Sequence, residues 1–243
     1  MVKVGITGGW EPGTVVEGWP LVYANKGLVE CIERAGALPV VIPVAEDTRH
    51  MDEYMKMLDG VVISGEVLSI KRNVVRDIGQ NVLENSNPIR YKNEKAAILS
   101  ARRLKKPLLG ICRGHQVLAV AEGGHVGDED INEGNTVMHQ QGGSRPPDEG
   151  VHEIHISPGT TLQKMLNRDI LFVNSFHRQA VDRVPEGFRV CALSGDGRIE
   201  AMESVAGPFA MGIQFHPEML KEEIWQRFFS EFVTLIREHQ NKP

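Results

Sequence analysis

Short runs rich in Val, Ile and Leu alternate with helix-length amphipathic stretches along the first half of the chain. This alternation constrains the fold most, because such strands pair in parallel and are covered by helices on both faces. The predicted strands are Val2–Thr7, Leu38–Pro43, Gly60–Ser64 and Leu108–Ile111, and the predicted helices are Leu21–Ala35, Thr48–Leu58, Tyr91–Lys105 and Gln116–Glu122. The sequence therefore predicts an α/β fold, a three-layer sandwich around a mainly parallel central sheet.

The pattern changes after Gly124. The stretch from Gly127 to Gly150 is polar and rich in Gly, Asp and Pro, which predicts a long surface loop. Short strands typical of antiparallel pairing follow at Glu153–Ile156, Ile170–Val173, Phe188–Ala192, Ile199–Met202 and Ala210–Gln214, and an amphipathic helix follows at Glu222–His239. Residues 66–88 carry no clear pattern. We expect residues 1–243 to form one domain with a smaller antiparallel portion.

Charge and hydropathy argue against two classes of protein. Lys and Arg never occur in a run longer than two residues, and the net charge is −5, so we expect no nucleic-acid partner. No apolar stretch approaches the roughly 18 residues of a membrane-spanning helix, so we expect no membrane partner. The N-terminus is typical of a strand and not of a signal peptide, which predicts a cytoplasmic protein.

One cysteine lies where its surroundings would activate it. The sequence PLLGICRGHQ is a short apolar run that ends in a cysteine between glycines. Gly110 and Gly114 allow a tight turn from strand to helix, so that Cys112 projects beyond the sheet near a helix N-terminus. The partial positive charge of that helix end lowers the pKa of a thiol. Cys31, in a predicted helix, and Cys191, in a predicted strand, are expected to be inert.

A cysteine nucleophile needs a base, and the base needs a partner that orients it. The segment GIQFHPE, from Gly212 to Glu218, offers both. Residues two apart in an extended chain point to the same side, and Pro217 favours an extended backbone at His216. Glu218 can then accept the proton of one ring nitrogen while the other nitrogen faces the sulfur. The sequence therefore predicts a catalytic triad of Cys112, His216 and Glu218.

The two motifs GICRGHQ and GIQFHPE, in this order and separation, resemble those of the class I glutamine amidotransferase family. The segments NSFHRQAV, which begins at Asn174, and DGRIEAM, which begins at Asp196, narrow the resemblance to the γ-glutamyl-γ-aminobutyrate hydrolase branch, peptidase C26. The resemblance runs from the first strand to about Glu218. It implies the flavodoxin-like fold of class I glutamine amidotransferases.

The resemblance also implies a reaction and roles for several residues. The reaction is hydrolysis of a γ-glutamyl amide through a thioester on Cys112, without a metal or an organic cofactor. The oxyanion hole would be the backbone N–H groups of Gly65 and Arg113. The resemblance implies substrate contacts for Gln116, Asn174, Ser175, Phe176 and Glu94, and it leaves open whether His177 lines the pocket or only shapes its loop.

Two departures from the family pattern flank the expected pocket for the amine. The family usually carries Gly-Gly after the third strand, where this chain has Ser64-Gly65-Glu66. The family often has Arg-Asp where this chain has Arg90-Tyr91. We therefore hypothesise that the released amine is not γ-aminobutyrate.

Three functional hypotheses follow. The first is a free-standing hydrolase of a small-molecule γ-glutamyl substrate, and the second is a glutaminase subunit that passes ammonia to a synthetase partner. The third is a non-catalytic regulatory homologue, against which the intact triad argues. The segment NSFHRQAV and the absence of a synthetase domain from this chain favour the first. The sequence leaves the oligomeric state open, with a homodimer as one option.

Two segments resemble metal sites only superficially. His152 and His155 lie three apart on a predicted strand and would point to opposite faces, so they are not expected to share one metal. The acidic segment at Asp128 begins like a calcium loop, but Glu133 and His139 stand where that loop needs Gly and Glu. We therefore expect no metal site.

Overall fold

The computed structural model describes residues 1–66, 82–128, 137–142 and 144–241. Its strands, in chain order, are β1 Lys3–Thr7, β2 Gly9–Glu11, β3 Leu21–Tyr23, β4 Leu38–Ile42, β5 Gly60–Ile63, β6 Leu108–Ile111, β7 His125–Asp128, β8 His152–Ile156, β9 Ile170–Val173, β10 Gln179–Arg183, β11 Phe188–Ser194, β12 Ile199–Ser204 and β13 Ala210–Ile213. The helices are α1 Lys26–Arg34, α2 Met51–Met57, α3 Val82–Ser86, α4 Pro88–Arg103, α5 Arg113–Ala121, α6 Thr161–Leu166 and α7 Glu223–Gln240, with a 3-10 turn at Pro217–Met219.

One large sheet runs through the molecule in the order β4-β1-β5-β6-β13-β12-β11-β8-β9. The strands from β4 to β13 pair in parallel, and those from β13 to β9 pair antiparallel. Strand β10 joins β12 and carries β7 at its other edge, while β2 and β3 form a separate two-stranded sheet. This arrangement confirms the predicted α/β fold with a parallel central sheet and an antiparallel portion.

Two hydrophobic clusters cover the two faces of the sheet. On one face, Ile32 of α1 and Phe228 of α7 pack in the same cluster as Val62 of β5. On the other, helices α2, α4 and α5 pack in the same cluster as Val61, the preceding residue of β5. Adjacent residues of a strand point to opposite faces, so this buried strand is apolar on both sides.

The predicted helix Leu21–Ala35 is wrong in its first part. Residues Leu21–Tyr23 form β3 instead and pair with β2. Helix α1 begins only at Lys26, because the Asn25 side chain accepts a hydrogen bond from the Gly27 N–H and thereby caps the helix.

The predicted surface loop after Gly124 is also wrong at its beginning. Residues His125–Asp128 form β7, which pairs with β10, a strand that the sequence did not predict. The rest of the acidic segment at 129–136 and most of the unpatterned segment, at 67–81, lie outside the described residues.

Two helices start earlier than predicted. Helix α4 begins at Pro88, because Asn87 caps it through the Arg90 N–H and proline suits a first helical position. Helix α5 begins at Arg113, directly after Cys112. None of the helices among the described residues is both long enough and apolar enough to cross a membrane.

Candidate active site

The site lies at the carboxyl ends of three adjacent parallel strands. In the order β5-β6-β13, the strands end at Ile63, Ile111 and Ile213. Because parallel strands present their carboxyl ends at one edge, the residues that follow them come together there. Cys112 follows the central strand, so it lies between the segments that follow its two neighbours.

Cys112 occupies a strained turn between β6 and α5. Its backbone has φ 50° and ψ −106°, a conformation that non-glycine residues rarely adopt. The turn brings the backbone into close contact, since a Cβ on Gly110 would lie 2.5 Å from the Gly114 carbonyl oxygen. A Cβ on Gly114 would overlap the Ile63 carbonyl oxygen. The structure thus contains the sharp strand-to-helix turn that the glycine spacing predicts.

His216 and Glu218 form a buried pair beside this turn. The Nδ1 atom of His216 lies 2.8 Å from the Glu218 Oε1 atom, and both side chains are 1% exposed. The extended backbone predicted through Glu218 is wrong, because Pro217 begins a 3-10 turn. The turn still brings the carboxylate back to the ring. The Asn25 side chain donates a hydrogen bond of 3.1 Å to the same Glu218 oxygen.

The Cys112 thiol and the His216 imidazole shift each other's pKa. Burial raises the pKa of Cys112, but the His216 charge and a hydrogen bond with its ring outweigh burial and hold that pKa below its ordinary value. Burial lowers the pKa of His216, but the charges of Cys112 and Glu218 hold it well above its ordinary value. These opposite shifts favour a thiolate–imidazolium pair.

Gly65 and Arg113 lie on either side of the sulfur-bearing turn. A Cβ on Gly65 would overlap Cε1 of His216 and lie 3.4 Å from Cβ of Cys112, so the Gly65 backbone borders both residues. Arg113 is the first residue of α5, and its N–H has no acceptor within that helix. The two backbone N–H groups predicted to form an oxyanion hole therefore both border Cys112.

A buried ion network joins the segments that carry these two N–H groups. The Glu94 carboxylate lies 2.6 Å from Nε of Arg90 and 3.0 Å from Nε of Arg113. The Arg90 guanidinium also donates to the carbonyl oxygens of Ser64, at 3.0 Å, and Gly65, at 2.9 Å. Glu94 was predicted to contact substrate. That contact stays a prediction, beside the observed contacts with the two arginines that fix the backbone around Cys112.

Glu66, the first family departure, belongs to the same network. Its Oε2 atom lies 2.9 Å from Nη1 of Arg90, and its Oε1 atom accepts a hydrogen bond of 3.0 Å from the Tyr23 hydroxyl. The Glu66 side chain is 18% exposed, whereas Arg90 is fully buried. A carboxylate is therefore held immediately after Gly65.

Gln116 contacts Gln214, the residue that in turn contacts the Cys112 sulfur. Its Nε2 atom donates to the Gln179 carbonyl oxygen, at 2.7 Å, and to Oε1 of Gln214, at 3.1 Å. Nε2 of Gln214 in turn lies 3.7 Å from Sγ of Cys112. Gln116 thus reaches the sulfur through Gln214, and its predicted contact with the glutamyl group stays a prediction.

Asn174 holds the backbone of the histidine. Its Oδ1 atom accepts from the His216 N–H at 2.8 Å, and its Nδ2 atom donates to the carbonyl oxygens of His216, at 2.9 Å, and Pro147, at 2.8 Å. The Ser175 hydroxyl donates to the His139 carbonyl oxygen at 2.9 Å. Both side chains are fully buried, so the predicted substrate contacts of Asn174 and Ser175 stay predictions beside observed structural roles.

Phe176 and His177 complete the loop after β9. The Phe176 ring meets the His216 ring edge-on, with the ring centroids 5.9 Å apart, and remains partly exposed. His177 is buried, and its charge contributes to the lowered pKa of Cys112. Of the two, only Phe176 presents a partly exposed surface beside His216.

A model of the peptidase C26 family matches residues 4–218. The chain belongs to the peptidase C26 family. Protein NtpR of Enterococcus hirae is 29% identical over 205 residues, which cover 84% of this chain and 84% of that protein. Gamma-glutamyl-gamma-aminobutyrate hydrolase PuuD of Escherichia coli strain K12 is 29% identical over 218 residues, which cover 87% of this chain and 85% of PuuD.

Solved structures show the same fold. The CTPS glutaminase domain of Trypanosoma brucei, solved with bound acivicin, superposes with a TM-score of 0.65 at 17% identity, covering 98% of this chain and 94% of that one. The fold of this peptidase C26 chain is therefore that of class I glutamine amidotransferases. Membership of the family supports a hydrolase.

Sequence reasoning missed three residues of this peptidase C26 site. Asn25 contacts Glu218 from 193 residues away, and Gln214 contacts the sulfur. Arg90 was noted only as the residue before the family departure at Tyr91, although it holds the Gly65 carbonyl. Only Gln214 carried a usable signal, because it lies two residues before His216 in a motif that was already recognised.

Proposed function

We propose that this chain is a cysteine hydrolase that cleaves the γ-glutamyl amide bond of a γ-glutamyl amine and releases glutamate and the free amine. The observation that carries the proposal is the convergence of Cys112, His216 and Glu218 at one edge of the sheet. The pKa of the thiol is lowered there and the pKa of the imidazole is raised, which suits a nucleophile paired with a general acid. The relative named γ-glutamyl-γ-aminobutyrate hydrolase supports the class of substrate.

In the first half of the reaction, the Cys112 thiolate attacks the γ-carbonyl carbon. The N–H groups of Gly65 and Arg113 stabilise the oxyanion that forms. The carbon–nitrogen bond then breaks, and the His216 imidazolium gives its proton to the departing amine. A γ-glutamyl thioester on Cys112 and a neutral His216 remain.

In the second half, water attacks the thioester carbon. His216 takes a proton from this water as the bond between carbon and sulfur breaks, so that glutamate leaves and the thiolate–imidazolium pair is restored. Glu218 keeps the ring in the required tautomer and stabilises its positive charge in both halves.

The test is a panel of γ-glutamyl amides, with glutamate release as the assay and Cys112→Ala as the control. We expect turnover by the wild type and none by the variant. Brief incubation followed by intact-mass measurement should detect the γ-glutamyl adduct on the wild type. Turnover that survives in Cys112→Ala would rule out the thioester route.

The second candidate is a glutaminase subunit that delivers ammonia to a synthetase partner. The structural likeness to a glutaminase domain favours it. Assays of the isolated protein with glutamine and with γ-glutamyl amines should distinguish the two functions. A glutaminase subunit would prefer glutamine and usually needs its partner for full activity. A free-standing hydrolase would turn over γ-glutamyl amines faster than glutamine.

We further propose that the amine is not γ-aminobutyrate. Glu66 holds a carboxylate one residue after the expected oxyanion donor Gly65, and this side chain is partly exposed. A fixed negative charge beside the reacting carbonyl repels a leaving amine that carries its own carboxylate. Arg90 compensates part of this charge, so we expect selectivity for neutral amines and not complete exclusion of γ-aminobutyrate.

The comparison of kcat/KM for γ-glutamyl-γ-aminobutyrate with γ-glutamyl alkylamines and arylamines tests this selectivity. We expect the uncharged amines to be preferred, and Glu66→Gln to narrow the difference, since glutamine keeps the shape without the charge. A clear preference of the wild type for γ-glutamyl-γ-aminobutyrate would defeat the idea while leaving the hydrolase proposal intact.

A further inference from the structure

A second group of buried titratable side chains lies outside the Cys112 triad. Its centre is Glu200 of β12, which is fully buried. Three histidines surround it, each about 5% exposed or less. His152 lies in β8 and His177 follows β9, while His139 precedes Gln140, which forms an isolated β-bridge with Phe176. Four separate segments of the chain thus bring a carboxylate and three imidazoles together.

The distances within this group suit a metal ion. The Glu200 Oε1 atom lies 3.3 Å from Nε2 of His152, 3.6 Å from Nδ1 of His139 and 3.7 Å from Nε2 of His177. Four ligands at about 2.0–2.1 Å from a tetrahedral ion are about 3.3–3.4 Å from one another. Ligand atoms of His139, His177 and Glu200 all lie within 4.8 Å of one another, so small side-chain movements would close the shell.

The outer ring nitrogens are already held by acceptors. His139 Nε2 lies 3.1 Å from an Asp196 carboxylate oxygen, and His152 Nδ1 lies 3.0 Å from the Met138 carbonyl oxygen. His177 Nδ1 lies 3.2 Å from the Gln179 carbonyl oxygen. When the His139 or His152 ring is neutral, an acceptor at the outer nitrogen favours the proton there, and the inner nitrogen then offers its lone pair toward Glu200. This is the arrangement that orients histidine ligands around metals.

Several inward-facing atoms have no hydrogen-bond partner. They are both carboxylate oxygens of Glu200, Nδ1 of His139 and Nε2 of His152. Among the described residues, no Lys or Arg lies within ion-pair distance of Glu200. Because buried charges in proteins are paired or coordinate metals, the Glu200 carboxylate needs a positive partner here, which can be a protonated histidine or a metal ion; Glu200 already raises the pKa of His152.

We propose that His139, His177 and Glu200 bind a divalent transition-metal ion, with His152 as the fourth ligand. Imidazole and carboxylate ligands suit zinc and its neighbours in the first transition row. Four protein ligands leave no open position, which is typical of a structural site and not of a catalytic one. The ion would tie β8 and β12 to the loops of His139 and His177, and the second loop carries Phe176 against His216.

The first experiment is a Co²⁺ titration of chelator-treated full-length protein, followed by visible absorption. It uses a Cys112→Ala background, so that the reactive thiol cannot bind the metal. We expect saturation at one equivalent, with the absorption of a tetrahedral N/O site and no thiolate charge-transfer band. Elemental analysis of protein loaded with Zn²⁺ should give the same stoichiometry. The absence of stoichiometric binding would overturn the proposal without any ligand variant.

Variants then assign the ligands. Glu200→Gln preserves shape and should weaken Co²⁺ affinity at least 100-fold, and Asp196→Asn should weaken it roughly 10–100-fold by loosening His139. His155→Ala is the matched control, because this exposed histidine lies on the other face of β8 and should leave affinity unchanged. Zn²⁺ should raise the melting temperature of the parent and not that of Glu200→Gln. Equal affinity in Glu200→Gln and its parent would refute the assignment.

Discussion

Replacing Asn174 by alanine tests what holds His216 opposite Cys112. The alanine removes the acceptor of the His216 N–H and leaves that buried group without a partner. The His216 carbonyl keeps a hydrogen bond of 3.2 Å from the Met219 N–H, and Pro147, whose carbonyl also loses a donor, is exposed to water, so the loss is concentrated on one buried donor. An orphaned buried donor costs about 1–3 kcal/mol. Total stabilities are usually about 5–15 kcal/mol, so the variant should fold.

The same change should reduce catalysis more than substrate binding. Without Asn174 the His216 backbone can move, and a misplacement on the order of 1 Å can lower the rate about 100-fold. We therefore expect kcat for a γ-glutamyl amide to fall about 100-fold while KM changes little. Steady-state glutamate release measures the kinetics, and calorimetry measures the melting temperature. A loss of about 1–3 kcal/mol in unfolding free energy, at roughly 2–4 °C per kcal/mol, should lower the melting temperature by about 2–12 °C.

The opposite kinetic pattern would refute this reasoning. If Asn174 instead contacts the glutamyl end of the substrate, as the family resemblance implies, KM should rise while kcat and the melting temperature stay close to the wild-type values. Asn85→Ala is the matched control, because Asn85 is exposed on α3 and the same truncation should change neither quantity.

Two further substitutions and one pH titration probe the same site. Gly65→Ala places a methyl group against the His216 ring, so we expect activity to fall at least about 100-fold in a folded protein, as checked by circular dichroism; near-normal activity would contradict the observed packing. Glu218→Gln should lower kcat by about three to four orders of magnitude with little change in KM, and a loss below tenfold would argue against its orienting role. The rate of Cys112 alkylation is measured at a series of pH values, with peptide mapping to identify the alkylated cysteine. Because the pKa of Cys112 is lowered, the midpoint of the rate against pH should lie below the ordinary thiol pKa of about 8.5. A midpoint at or above about 8.5 would contradict the ion pair.

The sequence predicts those parts of the site whose geometry is set by residues close together in the chain. Gly110 and Gly114 lie within two residues of Cys112, so the strained turn is encoded in one short segment. Glu218 lies two residues from His216, and their pairing tolerates the difference between the predicted extended chain and the observed 3-10 turn. Short-range spacing therefore determines the turn at Cys112 and the pair of His216 and Glu218, whereas the parallel pairing of β6 with β13 brings the two together.

The parts that the sequence does not predict depend on contacts between distant segments. Asn174 reaches the His216 backbone across 42 residues, and Asn25 reaches Glu218 across 193. The sequence alone does not distinguish an asparagine that binds substrate from one that hydrogen-bonds to a distant backbone. The resemblance therefore located the correct loop at Asn174 without distinguishing these two roles.

The ion network around Arg90 shows how the departure at Glu66 is compatible with the proposed oxyanion hole. A fully buried guanidinium is costly unless its charge is compensated, and here Glu94 and Glu66 both pair with it. Its remaining donors bind the carbonyl oxygens of Ser64 and Gly65, which leaves the Gly65 N–H directed away from the arginine. Because Glu94 also pairs with Arg113, one set of charges fixes the ends of two strands relative to each other. A network that costs this much desolvation is better explained by the positioning of the two proposed oxyanion donors than by stability.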